Sequence, residues 1–164
     1  MNFKLFVDLD GVLVDFDKGV EEATGRLPGQ QAPGRMWAII ARTPDFYAGL
    51  EWMPDGKEIW DRVLPLEPTI LTGLPRGKWA EPQKREWCRR ELGDDIEVIT
   101  CMSREKAQKA AELLTDGETP ILIDDRESIA EAWQEMGGIF IHHRSATDSI
   151  KQLENLIRKD DESE

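Results

Sequence analysis

Five short apolar runs punctuate the chain, at residues 3–7, 69–71, 96–99, 121–123 and 139–141, each rich in Val, Ile, Leu and Phe. They are continuous rather than alternating, the pattern of strands buried on both faces of a sheet. Helical spacing lies between and after them. Ile129, Ala132, Trp133 and Met136 fall at i, i+3, i+4 and i+7, and Gly137 with Gly138 supplies a C-terminal stop. Ala107, Ala110, Ala111 and Leu114 repeat the pattern. A last helix carries Ile150, Leu153 and Ile157, and Ser145 followed by Asp148 resembles a capping box at its start. Strands alternating with helices predict an α/β fold with a parallel sheet.

Residues 16–68 break this rhythm. They contain no strand pattern, only short helical pieces punctuated by Pro28, Gly29, Pro33, Gly34, Pro44 and Pro54, which predicts a small helical insertion between the first and second strands. The segment also holds Phe16, Trp37, Phe46, Tyr47, Trp52 and Trp60. Aromatics dominate core burial, so the first expectation is that they form the insertion's own small core, with one or two left to face a ligand. The expected division is an α/β core at 1–15 and 69–159, a helical cap at 16–68 and a frayed acidic tail at 160–164.

Composition narrows the class. A chain of 164 residues with 40% hydrophobic and 33% charged positions supports a single globular core and excludes wholesale disorder. Its formal charge of −12 repels duplex nucleic acid and anionic membrane. No apolar run approaches the roughly 20 residues that cross a bilayer, and the run at 3–7 meets Asp8 too soon for a signal peptide. Cys88 and Cys101 lack zinc-site or redox-motif spacing, so free thiols and a cytoplasmic location are expected.

In an open α/β sheet, ligands bind beyond the carboxyl ends of the strands. Polar groups gather at those positions: Asp8 and Asp10 with Gly11 after the first run, Thr72 and Gly73 after the second, Ser103 to Lys106 after the third, Asp124 and Asp125 after the fourth. Carboxylates crowded on one rim need a cation, and a hard divalent ion, Mg²⁺, with phosphate oxygens completing its shell, suits oxygen ligands. A hydroxyl and an ammonium beside it suit the remaining oxygens of a phosphoryl group. Asp8 can then act as nucleophile through an aspartyl phosphate. Asp10, turned back by the bend at Gly11, can protonate the leaving oxygen and later activate water. Each element alone reads as a turn, a strand end or a surface lysine; their succession at consecutive strand ends carries the chemistry.

Together these residues resemble the haloacid dehalogenase (HAD) superfamily of phosphohydrolases. Residues 6–16 match its first motif, Ile70, Leu71 and Thr72 its second, Lys106 its third, and residues 121–125 its fourth, a resemblance spanning about residues 3 to 143. It implies a Rossmann-like parallel sheet with a cap inserted directly after the first motif. Within the superfamily the chain is most similar to the 5'(3')-deoxyribonucleotidases, in the run from Asp8 to Phe16, in Phe46 and Tyr47 leading to residues 50–56, in residues 84–87, and in Ser103 to Lys106. The resemblance implies that Phe16 lines a nucleoside pocket, that Lys84 and Lys106 approach the phosphate, and that Mg²⁺ is held by Asp8, the backbone carbonyl of Asp10 and Asp124. Asp125 stands beside them as a further candidate ligand. Either lysine could partner the nucleophile; the resemblance favours Lys106, with Lys84 on the outer side of the phosphate beside Thr72 and Gly73. Gly73 replaces the second hydroxyl residue of that family's second motif.

The expected substrate is a small phosphorylated metabolite, a nucleoside monophosphate first, with a sugar phosphate or a non-catalytic binding role as rivals. Residues 73–79 imitate a phosphate-binding loop but have three residues between the glycines and Trp79 where Ser or Thr should hold Mg²⁺. His142 and His143 follow a strand, and nothing suggests a third ligand for a metal.

Overall fold

The structure, a computed structural model, describes residues 1–163. Strands β1 (Phe3–Val7), β2 (Thr69–Gly73), β3 (Val98–Cys101), β4 (Thr119–Asp124) and β5 (Ile139–His142) form one parallel sheet in the order β3-β2-β1-β4-β5. β1 is central. Its continuous apolar run serves two faces at once: Leu5 and Val7 join Ile70, Ile121 and Ile123 in one core cluster, and Phe6 joins Leu71, Leu122 and Trp133 in the other. The Phe6 and Trp133 rings meet edge to face at 5.5 Å. Burying each such side chain stabilises by about 1.5–3 kcal/mol, which fixes the strand between two helical layers.

β3 begins later than the apolar run at 96–99. Register explains the shift: Ile70 pairs with Val98 and Thr72 with Thr100, while Ile96 packs on the core from the preceding turn. Helices α4 (Ala80–Leu92), α5 (Lys106–Leu113), α6 (Ala130–Glu135) and α7 (Ala146–Asp161) connect and follow the strands. Ser145 caps α7 by accepting from the Asp148 amide at 3.1 Å. The acidic terminus expected to fray from residue 160 is helical through Asp161, and Asp160 pairs with the amino terminus of Met1. Glu164 lies outside the described residues.

Between β1 and β2 run α1 (Phe16–Thr24), α2 (Pro33–Arg42) and α3 (Gly56–Val63). Asp15 caps α1, and Gly25 ends it in the left-handed conformation. The part of the insertion that carries α1 and α2 is stitched at its two ends: Val14 bridges Trp52, the Asp15 amide donates to the Glu51 carbonyl at 2.9 Å, and the Met53 amide to the Leu13 carbonyl at 2.7 Å. The insertion has no separate core, contrary to expectation. Met36, Ile40, Phe46, Tyr47 and Trp60 belong to the same cluster as Leu5 and Val7, because three short helices bury too little surface among themselves. Helix α4 clamps the returning segment: the Trp87 indole donates to the Leu50 carbonyl at 2.9 Å, and Gln83 accepts from the Tyr47 amide at 2.7 Å. No helix among the described residues is long and apolar enough to cross a membrane.

Candidate active site

Parallel register delivers the functional side chains to one rim. Val7 pairs with Ile123 and the Asp8 amide donates to the Ile123 carbonyl at 3.0 Å, so Asp8 and Asp124 emerge side by side at the ends of β1 and β4. The chain then turns tightly, with the Leu9 carbonyl accepting from the amides of Val12, Leu13 and Val14. Gly11 takes φ +81°, and a Cβ there would overlap the Asp125 carboxylate, so glycine is required both by the turn and by the close approach.

One oxygen from each of Asp8, Asp124 and Asp125 lies within 4.8 Å of the other two. Lys106, the first residue of α5, places its ammonium 3.1 Å from Asp8 Oδ1 and 2.7 Å from Asp124 Oδ2. The other Asp124 oxygen accepts from the Arg126 amide at 2.9 Å. Asp8, Asp124 and Lys106 are buried, whereas Asp125 stands on the exposed rim. Burial pushes the Asp8 carboxyl up to about 7, with Lys106 opposing and Asp124 and Asp10 reinforcing the rise. Asp125 is pushed up to about 6 by partial desolvation against the pocket floor, then by Asp8 and Asp10. Burial pulls the Lys106 ammonium down, but Asp8 and Asp124 outweigh it and hold its pKa above the ordinary lysine value. Three converging carboxylates against one lysine leave excess negative charge, and their hard oxygen donors fit a divalent cation of the Mg²⁺ type.

Lys84 is placed differently from expectation. Its ammonium donates to Asp10 Oδ2 at 2.8 Å, Thr72 Oγ1 at 2.9 Å and the Gly73 carbonyl at 2.7 Å. An ammonium has three donors, so none is left for a phosphate, and the ammonium also lies 4.6 Å from the Tyr47 ring centroid. Lys84 is thus turned towards Asp10, Thr72 and Gly73, with its three donors engaged by the protein. Thr72 is likewise fully buried, its hydroxyl engaged by Lys84 instead of facing the cavity. Among the described residues Lys106 has two carboxylate partners, which leaves one of its three donors free.

A cavity of about 640 Å³ opens above the carboxylates, floored by Asp8, Asp10, Lys106, Asp124 and Asp125. Phe16, Trp37 and Tyr47 form its wall from the insertion. Phe16 stacks on Tyr47 at 6.0 Å and Tyr47 on Trp79 at 5.3 Å. Gly73, Leu74, Pro75 and Ser103 line the opposite side; Arg76 and Lys78 of the same loop are exposed to solvent. Sequence reasoning puts Ser103 on the rim without giving it a role and assigns no role to Tyr47 or Arg126; the spacing of Ser103, three residues before Lys106, is a signal that could have singled it out. His143 is buried against Ser149 Oγ at 2.7 Å, and the His142 Nε2 donates to the Asp125 carbonyl at 3.1 Å; among the described residues neither joins the cluster of Asp8, Asp124 and Asp125.

No family model matches the chain, and no curated protein matches its sequence. Solved structures do. A hydrolase from Streptococcus pneumoniae TIGR4 superposes with a TM-score of 0.58 at 12% identity, covering 94% of this chain and 100% of that one. A HAD-superfamily hydrolase of subfamily IA from Geobacter sulfurreducens gives 0.52 at 14% identity, covering 88% and 91%. A HAD family enzyme from Bacteroides thetaiotaomicron, solved as a magnesium complex, gives 0.50 at 16% identity, covering 88% and 94%. The fold is thus the HAD-like α/β fold that the resemblance implied.

Proposed function

We propose that the chain is a Mg²⁺-dependent phosphomonoesterase that works through an aspartyl phosphate and acts on a small phosphorylated metabolite, a nucleoside monophosphate first. The observation that carries the reading is the convergence of Asp8, Asp124 and Asp125, bridged by Lys106, on the floor of a cavity at the carboxyl rim of the sheet. The fold it shares with HAD hydrolases, one of them solved with magnesium, supports the same chemistry.

Asp8, Asp124 and Asp125 would hold the metal, joined by the backbone carbonyl of Asp10. When bound, the ion neutralises the clustered carboxylates and the charge on the phosphoryl oxygens. The carboxylate of Asp8 attacks phosphorus, forming the O–P bond of an acyl phosphate as the bond to the leaving oxygen breaks, and Asp10 gives that oxygen its proton. Water then attacks phosphorus, Asp10 takes the proton, and Asp8 is released with inorganic phosphate. Lys106 stabilises the attacking carboxylate and directs its remaining donor towards the transferring group. Lys84 keeps the Asp10 carboxylate oriented between the two steps. The aromatic wall of Phe16, Tyr47 and Trp37 favours a planar leaving group such as a nucleoside.

The test is hydrolysis of p-nitrophenyl phosphate with Mg²⁺ and with EDTA, followed by a panel of nucleoside monophosphates and sugar phosphates. Metal-dependent turnover with the highest kcat/KM on a nucleotide is expected. Sugar-phosphate preference would overturn the substrate, and absence of any phosphatase activity would overturn the reaction.

A further inference from the structure

Gly73 stands where a hydroxyl-bearing side chain would bring a second donor to a phosphate beside β2. Its backbone is ordinary, with no left-handed φ, yet a Cβ at this position would overlap Ser103 Oγ, and the nearest atoms around that point all belong to Ser103. The space a side chain at 73 would fill is therefore filled by a hydroxyl arriving from the loop after β3.

The local structure aims that hydroxyl. Residues Ser103–Glu105 form a single 3₁₀ turn, and the Lys106 amide closes it on the Ser103 carbonyl. In such a turn the side chains at i and i+3 eclipse, so Ser103 shares a face with Lys106, whose ammonium lies 3.1 Å from the Asp8 carboxylate. Ser103 lines the cavity together with Gly73, Asp8 and Lys106. The other hydroxyl of this rim, on Thr72, is fully buried and bound to Lys84.

We infer that Ser103, supplied by the β3 loop and lodged over Gly73, is the hydroxyl that binds the transferring phosphoryl group, replacing the one that β2 lacks. The inference rests on the phosphomonoesterase reading and names a residue for it. The Ser103 O–H donates to a non-bridging phosphoryl oxygen while Lys106 approaches another from the same turn. No bond to Ser103 forms or breaks.

The experiment measures inorganic phosphate binding by calorimetry in Mg²⁺ and hydrolysis of p-nitrophenyl phosphate, for the wild type, Ser103→Ala and the double variant Gly73→Ser/Ser103→Gly. Ser103→Ala is expected to weaken phosphate binding and lower kcat/KM by roughly 10²-fold, the order of loss for a donor aimed at developing charge. The double variant returns a hydroxyl to nearly the same point from the neighbouring strand and should regain most of that loss, which a purely structural role for Ser103 would not produce. An active wild type with Ser103→Ala unchanged in both readouts overturns the role of Ser103 alone, as does a double variant no better than Ser103→Ala. A wild type that neither binds phosphate nor turns over substrate overturns the phosphomonoesterase reading, and this inference with it.

Discussion

The ammonium of Lys84 lies 2.8 Å from the Asp10 carboxylate, and its two other donors are spent on Thr72 and Gly73. A lysine so engaged acts through the residue it holds. Lys84→Met should lower kcat by roughly 10²-fold, the scale of a general acid–base contribution, and leave KM within about threefold. Steady-state kinetics on p-nitrophenyl phosphate checks this: a large rise in KM at constant kcat would return Lys84 to the phosphate.

Asp8→Asn should lower turnover by on the order of 10³-fold or more, since an amide cannot form the acyl phosphate. The same change should stabilise the metal-free protein at alkaline pH. Burial raises the folded carboxyl from 3.8 to about 7, so its contribution to stability is complete below 3.8 and lost as pH rises through about 7. In EDTA, thermal melts of the Asp8→Asn variant should match wild type near the unfolded value of 3.8 and exceed it above about 7. Melting curves that diverge in the opposite direction would mean that Lys106, not burial, governs this carboxyl.

Gly11→Ala meets two obstacles together, a φ of +81° and the Asp125 carboxylate. The left-handed backbone alone costs about 1–2 kcal/mol, and displacement of Asp125 should also weaken Mg²⁺ binding. Denaturant unfolding and Mg²⁺ titration of the variant are the measurements; wild-type values in both would show that the turn relaxes freely.

Phe16→Ala should cost a nucleoside monophosphate about 10- to 100-fold in kcat/KM, the worth of roughly 1–3 kcal/mol for aromatic contact with a base, while p-nitrophenyl phosphate loses far less. Phe16 also touches Trp37, Phe46 and Tyr47. An equal loss on both substrates would assign it to packing of the insertion.

The rim of the sheet is legible in the sequence because a parallel sheet presents all its carboxyl ends on one side, so Asp8, Thr72 and Asp124 follow directly from where their apolar runs stop. The side-chain partners are not. Spacing places Lys84 on a helix, but its direction depends on the Tyr47 ring and on three acceptors brought from β2 and the turn after β1. Thr72 has the right position and the wrong exposure, since a residue at the end of an interior strand is covered by whichever helix packs there. The aromatic residues of the insertion give no sign of sharing the sheet's core, because which cluster a buried ring joins depends on long-range docking. Ser103 is placed on the rim by the sequence, but its approach to Gly73 is not, because that contact depends on an absence of bulk at Gly73 which spacing alone does not connect to it.

The segment with α1 and α2 leaves and rejoins the core through neighbouring backbone, with Val14 bridged to Trp52 and Leu13 bonded to Met53. Its ends span almost no distance, so exchanging it for a module of another length changes the closure entropy only slowly, by about 0.6 kcal/mol per doubling. Closure is thus cheap, but exchange is not: Met36, Ile40, Phe46 and Tyr47 of this segment pack in the same cluster as Leu5 and Val7, so any replacement has to refill the core beside β1 as well as span the two joints.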